Sequence, residues 1–178
     1  MFIDLLRSRR SIRKYRDKPV EKEKIDLLIE AALRAPSSRG FNPWEFVVID
    51  DPETLAALSR SKPHGASFLA EAPLAIAVCG NPETSDVWVE DVAIATTLIH
   101  LAATDLGLGS CWIQLRKRNY DANTTAGQHA AHLLGLPEGL EVSAIMAMGY
   151  ADQQPPPHPE SVLQHEKVSF NRHGRRRS

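Results

Sequence analysis

The sequence predicts a single domain in which helices alternate with strands. Three observations predict it. The chain has 178 residues, which favours one domain. Hydrophobic residues make up 43%, enough for a core and too many for a disordered chain. Four short apolar or β-branched runs are interleaved with five stretches of helical spacing.

The elements follow in order. Residues 2–8 read as a short helix. In "PVEKEKIDLLIEAALRAP", Ile25, Leu28, Ile29, Ala32 and Leu33 recur at helical spacing, with acids in the first turn and Pro36 just past the end. "WEFVVID" reads as a strand by its β-branched and aromatic content. "DPETLAAL" opens a helix, with Asp51 as N-cap and Pro52 at the first helical position. "APLAIAVCG" is a second strand, apolar throughout and so buried on both faces. "VEDVAIATTLIHLAATDLGLG" is the longest helix and stops at Gly107. "SCWIQL" is a third strand, "TTAGQHAAHLLGLP" a helix ended by Gly135 and Pro137, and "LEVSAIMAMGY" the fourth strand. From Gln153 the proline-rich "QQPPPHP" leads an extended arm, residues 153–178, that suits crossing a surface. No repeat or wide linker divides residues 1–178.

The helix from Val89 to Leu106 is apolar or small on nearly every face after Asp91. Such a helix must be buried all round. Either a partner subunit covers it, which points to a homodimer, or the domain's other helices wrap it.

Charge excludes some functions. Lys plus Arg is 21 and Asp plus Glu is 22, so nothing draws the chain as a whole to nucleic acid or to an anionic membrane. Cys79 and Cys111 lie far apart in apolar runs and read as reduced core thiols, as in a cytoplasm. The N-terminus has its charge after its apolar residues, the wrong order for a signal peptide, and no apolar run is long enough to span a membrane. There is no Walker loop, no GxGxxG and no GxSxG. His129 and His132 share a helical face but have no carboxylate or cysteine to complete a metal site. His100, in the apolar helix, reads as a hydrogen-bonded interior group. The ending "RHGRRRS" lacks the interleaved aromatics of a nucleic-acid tail.

Positive charge is concentrated in "RSRRSIRKY", with five basic side chains in nine residues. The planar guanidinium fork matches phosphate oxygens, and serine adds a short donor. Arg9, Arg10, Ser11 and Arg13 could hold one phosphate; a solvated basic loop after a helix is the alternative. A second constellation, "APSSRGFNPWEFVVI", sets two serines, Gly40 and Asn42 in a loop before a strand, where polar donors can be presented to a ligand. Turn chemistry alone would also explain it. In the third, "LGLGSCWIQL", a glycine turn feeds a strand whose backbone could approach a flat ligand closely.

Together and in this order, "RRSIRKY", "APSSRGFNPWEFVVI", "DLGLGSCWI" and "VSFNRHG" resemble the nitroreductase family of flavoproteins, from Phe2 to Gly174. The resemblance implies an α+β fold with a mixed central sheet flanked by helices, in an intertwined homodimer. It implies one FMN per subunit in a cleft at the dimer interface. Carried over by position, Arg9, Arg10, Ser11 and Arg13 would hold the phosphate and ribityl chain. Ser37, Ser38 and Asn42 would reach the flavin from the partner subunit, Trp112, Ile113 and Gln114 would line it mostly through backbone, and Arg172 would return from the arm to the phosphate. Many members have Asn-x-Gln before Pro-Trp; here Gly40, Phe41 and Asn42 stand there. The implied activity is hydride transfer from NADH or NADPH to an oxidised acceptor such as a nitroaromatic or quinone, in a ping-pong cycle. The flavin carries the chemistry, so no side chain is expected to be catalytic and no metal is required. Alternatives on the same scaffold are reductive dehalogenation, flavin fragmentation, or flavin or nucleotide binding without turnover.

Overall fold

The computed structural model describes residues 1–176; the last two residues of "RHGRRRS" lie outside the described residues. Along the chain run α1 (Phe2–Ser8), α2 (Lys22–Leu33), β1 (Trp44–Ile49), α3 (Pro52–Leu58), β2 (Leu74–Gly80), α4 (Trp88–Asp105), β3 (Gly109–Gln114), α5 (Ala126–Leu133) and β4 (Glu141–Gly149). Short 3-10 turns lie at Ser38–Gly40, Ser67–Glu71, Glu160–Val162 and His165–Lys167.

Several local signals act as their chemistry dictates. The Asp51 carboxylate accepts from Thr54 N–H at 2.8 Å, with Pro52 in the first turn of α3. Thr125 and Gln128 form a reciprocal capping box on α5. Gly107, at φ +73°, ends α4, and Leu108 N–H turns back to Ala103 C=O at 2.8 Å.

β2 is buried at every position, and β4 at all but its first residue; they form the centre of the sheet, whose order is β1-β2-β4-β3. All three strand pairings are antiparallel. The mixed character expected of the sheet therefore rests on one contact: among the described residues the only parallel pairing is the isolated bridge between Ser11 and Ser110. β2 and β3 both oppose β4 and so run parallel to each other, with α4 as the crossover between them.

Alternation along the central strands separates two apolar layers. Leu74, Ile76, Val78, Met146 and Met148 pack with Leu28 and Ala32 of α2 and Val92, Ala95 and Ile99 of α4. Ala75, Ala77, Cys79, Ile145 and Ala147 pack on the other face with Leu55 and Leu58 of α3, Leu69, and Ala126 and Ala130 of α5. The result is three layers, helices–sheet–helices. α4 is buried along most of its circumference by its own chain, but Glu90, Ile94, Thr97 and Asp105 remain exposed.

The first basic segment is stitched onto this frame. Ile12 N–H donates to Ser110 C=O (2.9 Å), Arg16 N–H to Tyr150 C=O (2.8 Å) and Asp152 N–H to Lys14 C=O (2.9 Å). The buried Tyr15 hydroxyl donates to Ile12 C=O at 2.7 Å. A Cβ on Gly109 would stand 2.7 Å from Ile12 Cγ2, so only glycine lets the segment lie this close to β3. Residues 153–176 are exposed almost throughout. Among the described residues no helix is long and apolar enough to cross a membrane.

Candidate functional site

The site is built around the two ends of β3. At its start, the Ser11–Ser110 bridge fixes where Arg9, Arg10 and Arg13 leave the backbone. Arg9, Arg10 and Ser11 are half-buried, and Arg13 is exposed with its guanidinium 5.8 Å from the centre of the Phe68 ring. The five ion pairs among the described residues use the amino terminus, Arg7, Lys18, Lys22 and Arg34. None engages Arg9, Arg10 or Arg13. Arg9 reaches His100 on α4 while Arg13 lies over Phe68, against the opposite apolar layer, and guanidinium groups without a carboxylate are available to an anion. A cleft of about 220 Å3 beside them is lined by Arg10, Ile12, Thr104, Gly109 and Gln153.

Arg9 has one side-chain partner, His100 on α4, with Nη1 2.9 Å from Nε2. The other ring nitrogen meets Ser110 Oγ at 2.5 Å. Burial, and then the charge of Arg9, push the His100 pKa down from 6.5 to about 4. Burial pushes the Cys111 thiol up, against the pull of Arg13 and Lys62.

The loop before β1 is tied off by its own polar groups. Ser37 Oγ donates to Asn42 Oδ1 (2.7 Å) and accepts from Asn42 N–H (2.9 Å). Arg39, Gly40 and Asn42 all adopt left-handed backbone, at φ +53°, +71° and +48°. Arg39 is strained there, at about 1–2 kcal/mol. Asp91, buried in the first turn of α4, accepts Ser38 N–H at 2.8 Å and the Ser85 hydroxyl at 3.3 Å. It thus anchors the loop to the crossover helix. Among the described residues no hydrogen bond or ion pair links this loop to the Arg9–Arg13 segment.

At the far end of β3, Trp112 Nε1 donates to Gln114 Oε1 (2.9 Å) and Gln114 Nε2 to Arg116 C=O (3.1 Å). Ile113 is buried beneath them. Lys62 Nζ donates to Gln114 C=O at 3.1 Å, and its pKa is lowered by burial and by Arg118. The Arg116 guanidinium lies 5.5 Å from the centre of the Trp88 ring. Beyond this end a hollow of about 590 Å3 is lined by Arg116, Lys117, Thr125, Gln128, Glu138 and Glu141, among others. It touches none of the Arg9–Arg13 segment. Beyond the Ser11 bridge no strand of the described residues pairs with the outer edge of β3.

Arg172 sits exposed in the arm, bonded only within it through Phe170 and Arg175, and does not meet Arg9–Arg13 in this chain. His129 stacks on Tyr120 at 3.8 Å and meets Ser61 Oγ at 3.2 Å. Two residues of the site carried no motif, Lys62 and Asp91, and Ser110 lay inside "LGLGSCWIQL" without being singled out. The one signal for Asp91 was an acid at the start of an otherwise apolar helix.

Comparison with known proteins bears on this arrangement. The model of the family described as "Nitroreductase family" matches residues 6–150. A protein of Archaeoglobus fulgidus, provisionally named an NADH dehydrogenase/NAD(P)H nitroreductase, is 36% identical over 152 residues, 83% of this chain and 84% of that one. FMN reductase (NAD(P)H) of Bacillus subtilis is 26% identical over 193 residues, 95% of this chain and 74% of that one. The solved structure of an FMN-dependent nitroreductase from Clostridium difficile R20291 superimposes with a TM-score of 0.94 at 47% identity, covering 96% of this chain and 99% of the other. With its α+β fold and these relatives, the chain belongs to the nitroreductase family.

Proposed function

We propose that this protein is an FMN-dependent oxidoreductase that takes hydride from NADH or NADPH and passes it to an oxidised small molecule, a nitroaromatic or a quinone. The observation that carries the reading is the segment Arg9–Arg13, three guanidinium groups without a carboxylate partner among the described residues, pinned to β3 by main-chain pairing at Ser11. That donor set suits a phosphate monoester: charged planar forks, a hydroxyl, and a backbone that cannot shift.

FMN, when bound, would supply the redox chemistry of a ping-pong cycle. The chain binds and orients. Arg9, Arg10, Ser11 and Arg13 would hold the phosphate and ribityl chain. Trp112, Ile113 and Gln114 present the outer edge of β3 to the ring, a rigid edge because β4 holds its inner side. Lys62, whose ammonium donates to Gln114 C=O at 3.1 Å, would bring positive charge to the end of the strand that lines the ring.

The proposed assembly is a homodimer in which Ser37, Ser38 and Asn42 of one protomer and Arg172 in the arm complete the partner's site. Exposed apolar residues support it. Phe2, Ile3 and Leu6 on α1 lie outside the core, as do Val162, Leu163 and Val168 on the arm. An apolar groove of about 600 Å3 between α1, α2 and α4 is lined by Phe2, Leu5, Ala31, Leu98 and Leu101, among others. We read residues 1–178 as one domain with residues 153–178 as the arm, working in a cytoplasm, where the buried thiols Cys79 and Cys111 stay reduced.

The test is the purified protein itself. It should be yellow, release FMN on heating, lose its visible absorbance anaerobically with NADH or NADPH, and regain it with a quinone. FAD as the released flavin, or a colour that neither nucleotide bleaches, overturns the proposal. Light scattering should give the mass of two chains.

A further inference from the structure

We propose that His100 is a positioning residue for the phosphate clamp: it fixes the guanidinium of Arg9 before the cofactor arrives, so that the remaining N–H donors face the phosphate. The inference rests on the reading of Arg9–Arg13 as that clamp.

The protonation pattern follows from the inventory of donors. Arginine has five N–H donors and no acceptor. Arg9 Nη1 lies 2.9 Å from His100 Nε2, so Nε2 must carry the lone pair. A neutral imidazole then has its proton on Nδ1, where Ser110 Oγ accepts it. A doubly protonated ring would set N–H against N–H. Burial and the Arg9 charge both oppose that form, and the imidazole stays neutral down to about pH 4. His100 is 8% exposed and Ser110 1% exposed, so water does not compete for the bond between them, while Arg9 itself is half-buried.

The contacts join two parts of the clamp. Ser110 is the β3 residue bridged to Ser11, and its carbonyl accepts Ile12 N–H at 2.9 Å. The side chain of Arg9 is therefore tied through His100 to the same residue that ties down the backbone of Ser11 and Ile12. An arginine side chain free in solvent loses most of its rotamer freedom when it grips a phosphate. His100 moves that loss from the binding step to the folding step, which raises affinity without adding a contact to the ligand.

The experiment compares FMN with riboflavin, which lacks the phosphate. Apo-protein is titrated with each and followed by flavin fluorescence, for wild type, His100→Leu, His100→Asn, His100→Gln and Arg9→Ala. His100→Leu and His100→Asn, which leave no acceptor at the position of Nε2, should weaken FMN roughly tenfold and leave riboflavin within about twofold. His100→Gln, whose Oε1 can reach that position, should recover most of the FMN affinity. If His100→Leu does not fold, the Asn and Gln pair decides. Equal losses for FMN and riboflavin would make His100 merely structural and overturn the inference. So would unchanged FMN affinity in the His100 variants beside a loss in Arg9→Ala. If Arg9→Ala itself leaves FMN binding intact, the clamp is elsewhere, and the underlying reading has failed together with the inference.

Discussion

Replacing Asp91 by alanine tests whether the loop at Ser37–Asn42 is held from the crossover helix. Asp91 is 3% exposed, accepts Ser38 N–H at 2.8 Å and the Ser85 hydroxyl at 3.3 Å, and sits in the first turn of α4, where the helix dipole favours an anion. A hydrogen bond to a charged acceptor contributes about 1.5–3 kcal/mol, and the longer Ser85 contact about 0.5–1 kcal/mol. Asp91→Ala should therefore destabilise by about 2–4 kcal/mol. At roughly 2–4 °C per kcal/mol for a chain of this size, Tm should fall by about 5–15 °C. Asp91→Asn keeps a neutral acceptor for Ser38 and should lose about half as much. The loss has a local signature, because the untethered loop contains Arg39 in a strained left-handed conformation. Limited trypsin digestion should cut after Arg39 much faster in Asp91→Ala than in wild type. Urea unfolding and digestion together make the assay. An Asp91→Ala protein as stable as wild type, with no faster cut at Arg39, would refute the tether.

Other outcomes follow from the same geometry. Arg10→Ala should weaken FMN roughly ten- to a hundredfold in a fluorescence titration, whereas Arg16→Ala, an exposed side chain with no ion pair, should change binding free energy by well under about 1 kcal/mol; equal losses would mean a diffuse field and no clamp. Gly109→Ala should destabilise by about 1–3 kcal/mol on urea unfolding, because its Cβ would meet Ile12 Cγ2 at 2.7 Å, and Ile12→Ala in the same chain should relieve part of that loss. His100 takes up a proton near pH 6.5 when unfolded and only near pH 4 when folded, so the unfolded chain binds more protons between those values. Stability should fall as pH drops through that window, and less steeply in His100→Gln. The exposed Glu21, lowered to about 2 chiefly by the Tyr150 hydroxyl, contributes above its unfolded value of 4.5 and is lost only as pH falls further, which keeps the two effects apart.

What could be read from residues alone was what neighbours in sequence determine. The unbroken apolar run of β2 meant burial on both faces, and Asp51-Pro52 and Gly107 marked helix ends by their own backbone chemistry. The density of arginine at Arg9–Arg13 was visible as charge. Contacts between distant residues were not visible. His100 reads as a hydrogen-bonded interior group, but nothing names Arg9, 91 residues away, as its partner. Asp91 and Ser38 are 53 apart, and Lys62 and Gln114 are 52 apart. Periodicity shows that a helix face is buried, but not against what. For α4 it left a partner subunit and the domain's own helices equally open; the chain's own sheet and α2 cover most of it, and the stripe through Ile94 stays exposed. The antiparallel sheet escaped notice for the same reason, since strand order is set by long-range pairing.

The stitching of residues 11–16 onto the start of β3 and just past the end of β4 has a consequence in time. Tyr15 pairs with Ala151 and bonds to Ala147, 132 residues away, and Ile12 waits for Ser110. Closing a loop of that length costs about 4 kcal/mol of chain entropy before any contact rewards it. Contacts this distant in sequence form late. The arginine segment is among the first parts of the chain, yet its docking partners lie on β3 and just beyond β4, nearly the last elements. A chain interrupted before Gly149 can build helices and most of the sheet, but it leaves Arg9 to Arg13 on a loose end. FMN capture through this segment would therefore depend on the pairing of β3 with β4, far from the arginines in sequence.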